Sequence, residues 1–99
     1  MKLTFSEDYP DKPPICSFTP RIFHPNVFPS GKICLSIIDE TKGWQPTISV
    51  KQILLGVQQL LGNPNLGDPA QREPFELLRA DPAAYEERVR QEARKQPAL

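Results

Sequence analysis

From Thr19 to Thr47 the chain runs 29 residues with little helix or strand periodicity. A compact domain seldom carries so long an irregular connection unless that segment is functional. The chain has only 99 residues, one small domain at most, which buries about two-thirds of its unfolded surface. A thin core therefore has to support an unusually large loop. Within that loop lie His24-Pro25-Asn26, Pro29-Ser30-Gly31, Cys34 and Trp44. The apolar side chains of Ile33, Leu35, Ile37 and Ile38 are expected to pin part of it to the core.

The flanking segments have clearer periods. Met1, Leu3 and Phe5 alternate with Lys2 and Thr4, the period of a half-buried strand. Prolines at 10, 13 and 14 interrupt the chain, and Ile15-Cys16-Ser17-Phe18 reads as a second short strand, antiparallel to the first. After the loop, Val50, Ile53, Leu54, Val57, Leu60 and Leu61 share one helical face, with Lys51, Gln52, Gln58 and Gln59 mainly opposite. Thr47 or Ser49 is the expected N-cap, and Gly62-Asn63-Pro64 the stop. A shorter helix is expected over Arg72 to Arg79. A last one is capped by Asp81, opens on Pro82 and runs through Ala84, Tyr85, Arg88, Val89 and Glu92 toward Pro97. Strands first and helices afterwards make an α+β domain, 1–99, with a small antiparallel sheet packed against C-terminal helices.

Charge narrows the range of partners. Lys plus Arg and Asp plus Glu balance at 12 each, which argues against non-specific binding to nucleic acid or an anionic membrane. Only 88–95 is locally basic. No apolar run approaches the roughly 20 residues of a bilayer span, and Glu7 and Asp8 interrupt the first residues too early for a signal peptide. The expected setting is intracellular, with Cys16 and Cys34 as free thiols. One His and two Cys are too few for a closed four-ligand zinc site.

Cys34 sits just past a glycine turn in the long loop, where an exposed thiol can act as a nucleophile. Buried cysteine is also a common small hydrophobe, and that reading suits Cys16. His24 and Asn26 beside a cysteine suggest a papain-like hydrolase, but that family places its His and Asn far downstream of the Cys. His24 beside Pro25 reads better as a hydrogen-bonded structural residue. Asn26 offers an amide either to a developing oxyanion or to its own loop backbone. Asp68, in Gly67-Asp68-Pro69-Ala70-Gln71, reads on its own as a turn or cap residue.

Together these residues resemble the ubiquitin-conjugating enzyme family. Tyr9-Pro10 with Pro13-Pro14, His24-Pro25-Asn26 eight residues ahead of Cys34, Trp44-x-Pro46 and Ile53-Leu54-Leu55 occur in the family's order and spacing. Within it, Cys34-Leu35-Ser36-Ile37, the insertion Asp39-Glu40-Thr41-Lys42-Gly43 and Asp68-Pro69-Ala70-Gln71 are similar to the SUMO-conjugating members. A ubiquitin-conjugating member is the alternative, and a catalytically inert binding module the other.

The resemblance implies that Cys34 accepts SUMO from its activating enzyme as a thioester and passes it to a substrate lysine. It implies SUMO ligases as further partners, a nuclear and cytoplasmic location, and no metal or organic cofactor. By position, Asn26 would stabilise the oxyanion or hold the loop, Asp68 would orient and desolvate the attacking lysine, and His24, Pro25 and Phe28 would shape the site. Ser30, Lys32, Pro69, Ala70, Gln71 and Phe75 would line the substrate groove.

Some positions differ from the SUMO type. Phe28 and Phe75 replace tyrosines. Ile15 and Ser17 replace two lysines that meet the acidic residue of the acceptor motif, and Lys32 replaces a threonine near the thiol. Met1 falls within the family's third strand, so the resemblance implies a piece lacking the N-terminal helix and first two strands. An exposed strand edge and a tendency to associate are expected to follow.

Overall fold

The structure, a computed structural model, describes residues 1–95. Strands β1 (Lys2–Thr4) and β2 (Ile15–Ser17) pair antiparallel with Leu3 opposite Cys16. The pairing is as expected, although each strand is shorter than its alternating run. Met1 and Phe5 remain about half exposed, so the alternation continues past the residues that have a partner strand. Trp44 closes the turn between the strands: its indole N–H donates to the carbonyls of Pro10 and Asp11 at 3.1 and 3.2 Å.

The long connection is more ordered than its sequence suggests. Isolated bridges join Ser17 to Lys32 and Val27 to Ile33. The Phe18 N–H donates to the Gly31 carbonyl, and the Ile33 N–H to that of Cys16, both at 2.8 Å. Residues 26–34 thereby fold as a narrow hairpin laid along β2. Its turn, Phe28-Pro29-Ser30-Gly31, is closed by the Gly31 N–H on the Phe28 carbonyl, and proline suits its second position. Gly31 follows at φ 96°, and a Cβ there would stand 2.2 Å from the Phe18 carbonyl oxygen. Only glycine fits both that conformation and that approach. The periodicity reading missed the hairpin because the paired stretches are only a few residues long and prolines 25 and 29 flank them.

Beyond a 3-10 turn at Ser36–Ile38, residues 39–44 curl back on themselves. Asp39 Oδ1 accepts from the Thr41 N–H at 2.9 Å and from its hydroxyl at 2.6 Å. The Lys42 and Trp44 N–H groups donate to the Asp39 carbonyl.

Helix α1 spans Val50–Gly62. Of the two proposed caps, Ser49 is the one used: its hydroxyl accepts from the Gln52 N–H, while Gln52 Oε1 accepts from the Ser49 N–H. That reciprocal pair contributes about 1 kcal/mol. Ile53, Val57 and Leu60 bury one stripe of α1 against Cys16, Val27, Ile33 and Trp44. The expected apolar face was wider. Val50, Leu54 and Leu61 are 40–45% exposed, because the sheet and hairpin cover only the central stripe. Helix α2 runs Arg72–Ala80 and α3 Pro82–Lys95, with Asp81 Oδ1 accepting from the Ala84 N–H as an N-cap does. Pro97, the expected end of α3, lies outside the described residues. Tyr85 is the one buried residue of α3. Arg88 stacks 4.5 Å over the Phe23 ring and pairs with Glu73 of α2 at 2.8 Å, which fastens both helices to the loop. No described helix is long and apolar enough to cross a membrane.

Candidate active site

The hairpin places Asn26 and Cys34 opposite one another, with the Cys34 N–H donating to the Asn26 carbonyl at 2.8 Å. Cys34 is half-buried on the wall of a groove of about 580 Å³ that Phe28, Lys32, Asp39, Lys42 and Asp68 also line. Its thiol donates to Asp68 Oδ2 at 3.4 Å. Lys42 donates to the same oxygen at 2.6 Å. One carboxylate oxygen thus holds a thiol and an ammonium side by side.

The electrostatics of the three groups follow from this contact. Burial pushes the Cys34 thiol up, the hydrogen bond and negative charge of Asp68 push it further, and the Lys42 ammonium partly offsets them. Lys42 and then Cys34 stabilise the Asp68 carboxylate and hold it below the usual range, while Asp68 raises Lys42. Cys34 therefore meets the accessibility condition for a nucleophile and not the low-pKa condition. Cys16, by contrast, is fully buried within the core cluster.

Asn26 is also fully buried, and every polar atom of its side chain has a partner. Its Nδ2 donates to the carbonyls of Asn65 and Asp68 at 2.7 and 3.0 Å, and its Oδ1 accepts from the Asn65 N–H at 2.8 Å. Both amide hydrogens are engaged on the loop that carries Asp68, so in this state neither points to an oxyanion. His24 lies one layer deeper. Its Nδ1 accepts from the Asn26 N–H at 3.0 Å and its Nε2 donates to the Leu60 carbonyl at 2.9 Å. Those bonds fix one neutral tautomer, and burial holds its pKa below the ordinary value, against the pull of the carbonyls of Leu60 and Leu61.

Pro25 is buried, and its carbonyl accepts from the Ala70 and Gln71 N–H groups at 2.7 and 3.2 Å. The Gln71 side chain turns inward and donates to the carbonyls of Ile22 and Val27. These bonds tie the 65–71 loop to the hairpin. Of the expected substrate-groove residues, Lys32 lines this groove, while Ser30, Pro69, Ala70, Gln71 and Phe75 lie outside its lining. Phe75 sits on α2, where Arg79 stacks on its ring.

Sequence reasoning passed over two participants. Asn65 is the backbone anchor of Asn26, and Lys42 is the ion partner of Asp68. Lys42 stands 26 residues from Asp68 along the chain, so no local pattern joins them. The nearest signal is the lysine in the insertion before Trp44. Among the described residues, no three His, Cys, Asp or Glu side chains come together to hold a metal ion.

The chain is 52% identical to the SUMO-conjugating enzyme SCE1 of Arabidopsis thaliana across all 99 residues, which cover 62% of that protein. It is 50% identical over 98 residues to the SUMO-conjugating enzyme UBC9 of Caenorhabditis elegans, covering 99% of this chain and 59% of the relative. The Dictyostelium discoideum SUMO-conjugating enzyme ubc9 is 45% identical over 95 residues, covering 96% and 60% respectively. The chain thus spans about three-fifths of the length of these relatives. The family description "Ubiquitin-conjugating enzyme" matches residues 1–93, and the chain that sets Cys34 beside Asp68 across this groove belongs to the ubiquitin-conjugating enzyme family.

Proposed function

We propose that the chain is a SUMO-conjugating transferase that carries SUMO on Cys34 and delivers it to substrate lysines. The observation that carries this reading is the shared oxygen: Asp68 Oδ2 bonds the Cys34 thiol and, beside it, a primary ammonium. A lysine amine can therefore be held within reach of whatever acyl group the sulfur bears. The names of the relatives supply the modifier.

In the first step Cys34 Sγ, as thiolate, attacks the thioester linking SUMO's C-terminal glycine to the activating enzyme. A new C–S bond forms and the donor's thiolate leaves. In the second, a substrate amine attacks the Cys34 thioester, the C–N bond forms, and the Cys34 thiolate is expelled. Lysine at about pKa 10.4 is almost fully protonated at neutral pH; the Asp68 carboxylate holds and orients that group beside the thioester, and the small fraction that has lost its proton to solvent is the form that attacks. The raised Cys34 pKa has a cost and a benefit. It lowers the thiolate fraction for loading, but a more basic thiolate leaves more slowly, so the loaded acyl group resists adventitious loss. The exposed Phe28 ring offers an apolar wall for the lysine stem. Asn26, fully engaged with the Asp68 loop, acts by holding that loop in place.

A single-turnover transfer assay tests the reading. Chain bearing SUMO on Cys34 is mixed with an acceptor peptide containing one lysine, and the isopeptide product is followed. Transfer that Asp68→Ala slows strongly, and that a peptide with arginine in place of lysine abolishes, is expected. Transfer unaffected by Asp68→Ala contradicts the role given to the carboxylate.

A further inference from the structure

Lys42 occupies the place at Asp68 that the proposed function gives to an incoming lysine. Its Nζ is 2.6 Å from the oxygen that also accepts the Cys34 thiol. The position is built in. Asp39 braces the turn through its bonds to Thr41 and through its carbonyl, which accepts the Lys42 N–H at 3.0 Å. Lys12 and Lys32 also line the groove, but Lys12 pairs loosely with Asp8 at 3.9 Å.

We infer that Lys42 is a self-modification site: an acyl group on Cys34 migrates within the same chain to Lys42 Nζ and forms a stable amide. The inference rests on Cys34 acting as an acyl carrier. The amine attacks the thioester carbonyl, the C–N bond forms and the C–S bond breaks. Of the two protons that the ammonium loses, one ends on the Cys34 sulfur and the other passes to solvent. Holding amine and thioester on one scaffold makes the step unimolecular, and well-oriented intramolecular reactions have very large effective molarities.

Protonation sets the pace. Lys42 is faced by the Asp68 and Asp39 carboxylates and the Cys34 sulfur, with Lys32 elsewhere on the groove wall. Asp68 keeps the ammonium protonated at neutral pH. Migration is therefore slow there and accelerates about tenfold per pH unit as pH rises toward the lysine range.

The test uses a small acyl donor, N-acetylglycine thiophenyl ester, added to the whole chain and then removed. A thioester adduct cleaved by hydroxylamine is expected first, followed by a hydroxylamine-resistant adduct mapped to Lys42. Its rate should not change on dilution. Lys42→Arg, which keeps a positive charge beside Asp68, should still show the labile adduct but not the stable one at residue 42. Cys34→Ala should show neither. No resistant adduct, one mapped to Lys12 or Lys32, a rate proportional to chain concentration, or a Lys42 adduct persisting in Cys34→Ala overturns the inference. The donor involves neither SUMO nor an activating enzyme, so the two readings fail separately. A chain that takes SUMO but forms no Lys42 adduct contradicts only this inference. One that forms the adduct but takes no SUMO contradicts only the proposed function.

Discussion

The side chain of Asn26 pairs with the backbone of Asn65 as a neighbouring strand would. Its Oδ1 accepts the Asn65 N–H at 2.8 Å and its Nδ2 donates to the Asn65 carbonyl at 2.7 Å. A second donation, to the Asp68 carbonyl, makes this one amide the clamp between the cysteine hairpin and the carboxylate loop. Asn26→Ala removes three bonds at a fully buried position, and a lost buried partner costs about 1–3 kcal/mol. The urea unfolding midpoint should fall accordingly. Asn26→Asp should cost at least as much, because it turns a carboxylate toward two carbonyl oxygens. A midpoint unchanged in both variants would contradict the clamp.

His24 makes stability depend on pH in a defined window. Its pKa in the fold lies below the ordinary 6.5, so below that pH the unfolded chain takes up a proton that the folded chain refuses. The stabilisation is complete above the unfolded pKa and is lost as pH falls through the lower folded value. Urea midpoints measured from about pH 7.5 down to about pH 5.5 should decline, and the decline should flatten in His24→Gln, which does not titrate. Asp68 and Asp39, whose pKa values are also depressed, lose their contributions only in the more acidic carboxylate range. The two effects therefore separate along the pH axis.

The Cys34 thiol should respond oppositely to its two charged neighbours. Asp68→Asn removes a negative charge that adds to the effect of burial, so the pKa drops and iodoacetamide alkylation at neutral pH speeds up several-fold. Lys42→Met removes the offsetting positive charge, so alkylation slows. Each pKa unit is a factor of ten in thiolate at pH well below the pKa. Mass spectrometry of Cys34 alkylation against time checks both signs. Buried Cys16 serves as the unreactive internal reference.

Lys32 bears on acceptor choice. It is exposed on the wall of the groove that Cys34 also lines, where Ile15 contributes only apolar surface. Lys32→Thr should slow transfer to acceptor peptides carrying an acidic residue two positions after the lysine, and leave peptides without one little changed. Equal slowing of both peptide classes, measured by single-turnover transfer, would remove Lys32 from acceptor recognition.

How much of this was legible in the chain depends on the range of the interaction. Thr47 or Ser49 announces the start of one helix, of which Ser49 is the cap used, and Asp81-Pro82 announces the start of another. Both are local chemistry and both stand. The antiparallel pairing of β1 and β2 follows from two short alternating runs joined by a proline-rich turn. The bonds that build the site cross longer distances: Asn26 to Asn65 spans 39 residues, and Lys42 to Asp68 spans 26. No periodicity reports them. Gly31 shows the intermediate case, because a glycine after Pro29-Ser30 signals a turn but not the Phe18 carbonyl lying 2.2 Å from where its Cβ would be. The apolar face of α1 was read too wide for the opposite reason. Periodicity counts the apolar residues on a helix, whereas burial depends on what else is there to cover them.

The measurement that tests the central claim most directly is loading of Cys34. The chain is incubated with ATP and either SUMO plus its activating enzyme or ubiquitin plus its own, with the Arabidopsis thaliana relative as a parallel reaction, and the products are resolved without reductant. The account predicts a one-to-one SUMO adduct that thiol reagents remove, that Cys34→Ala abolishes, and that ubiquitin does not replace. An adduct that survives Cys34→Ala, loading with ubiquitin in preference to SUMO, or no adduct where the relative is loaded would contradict it.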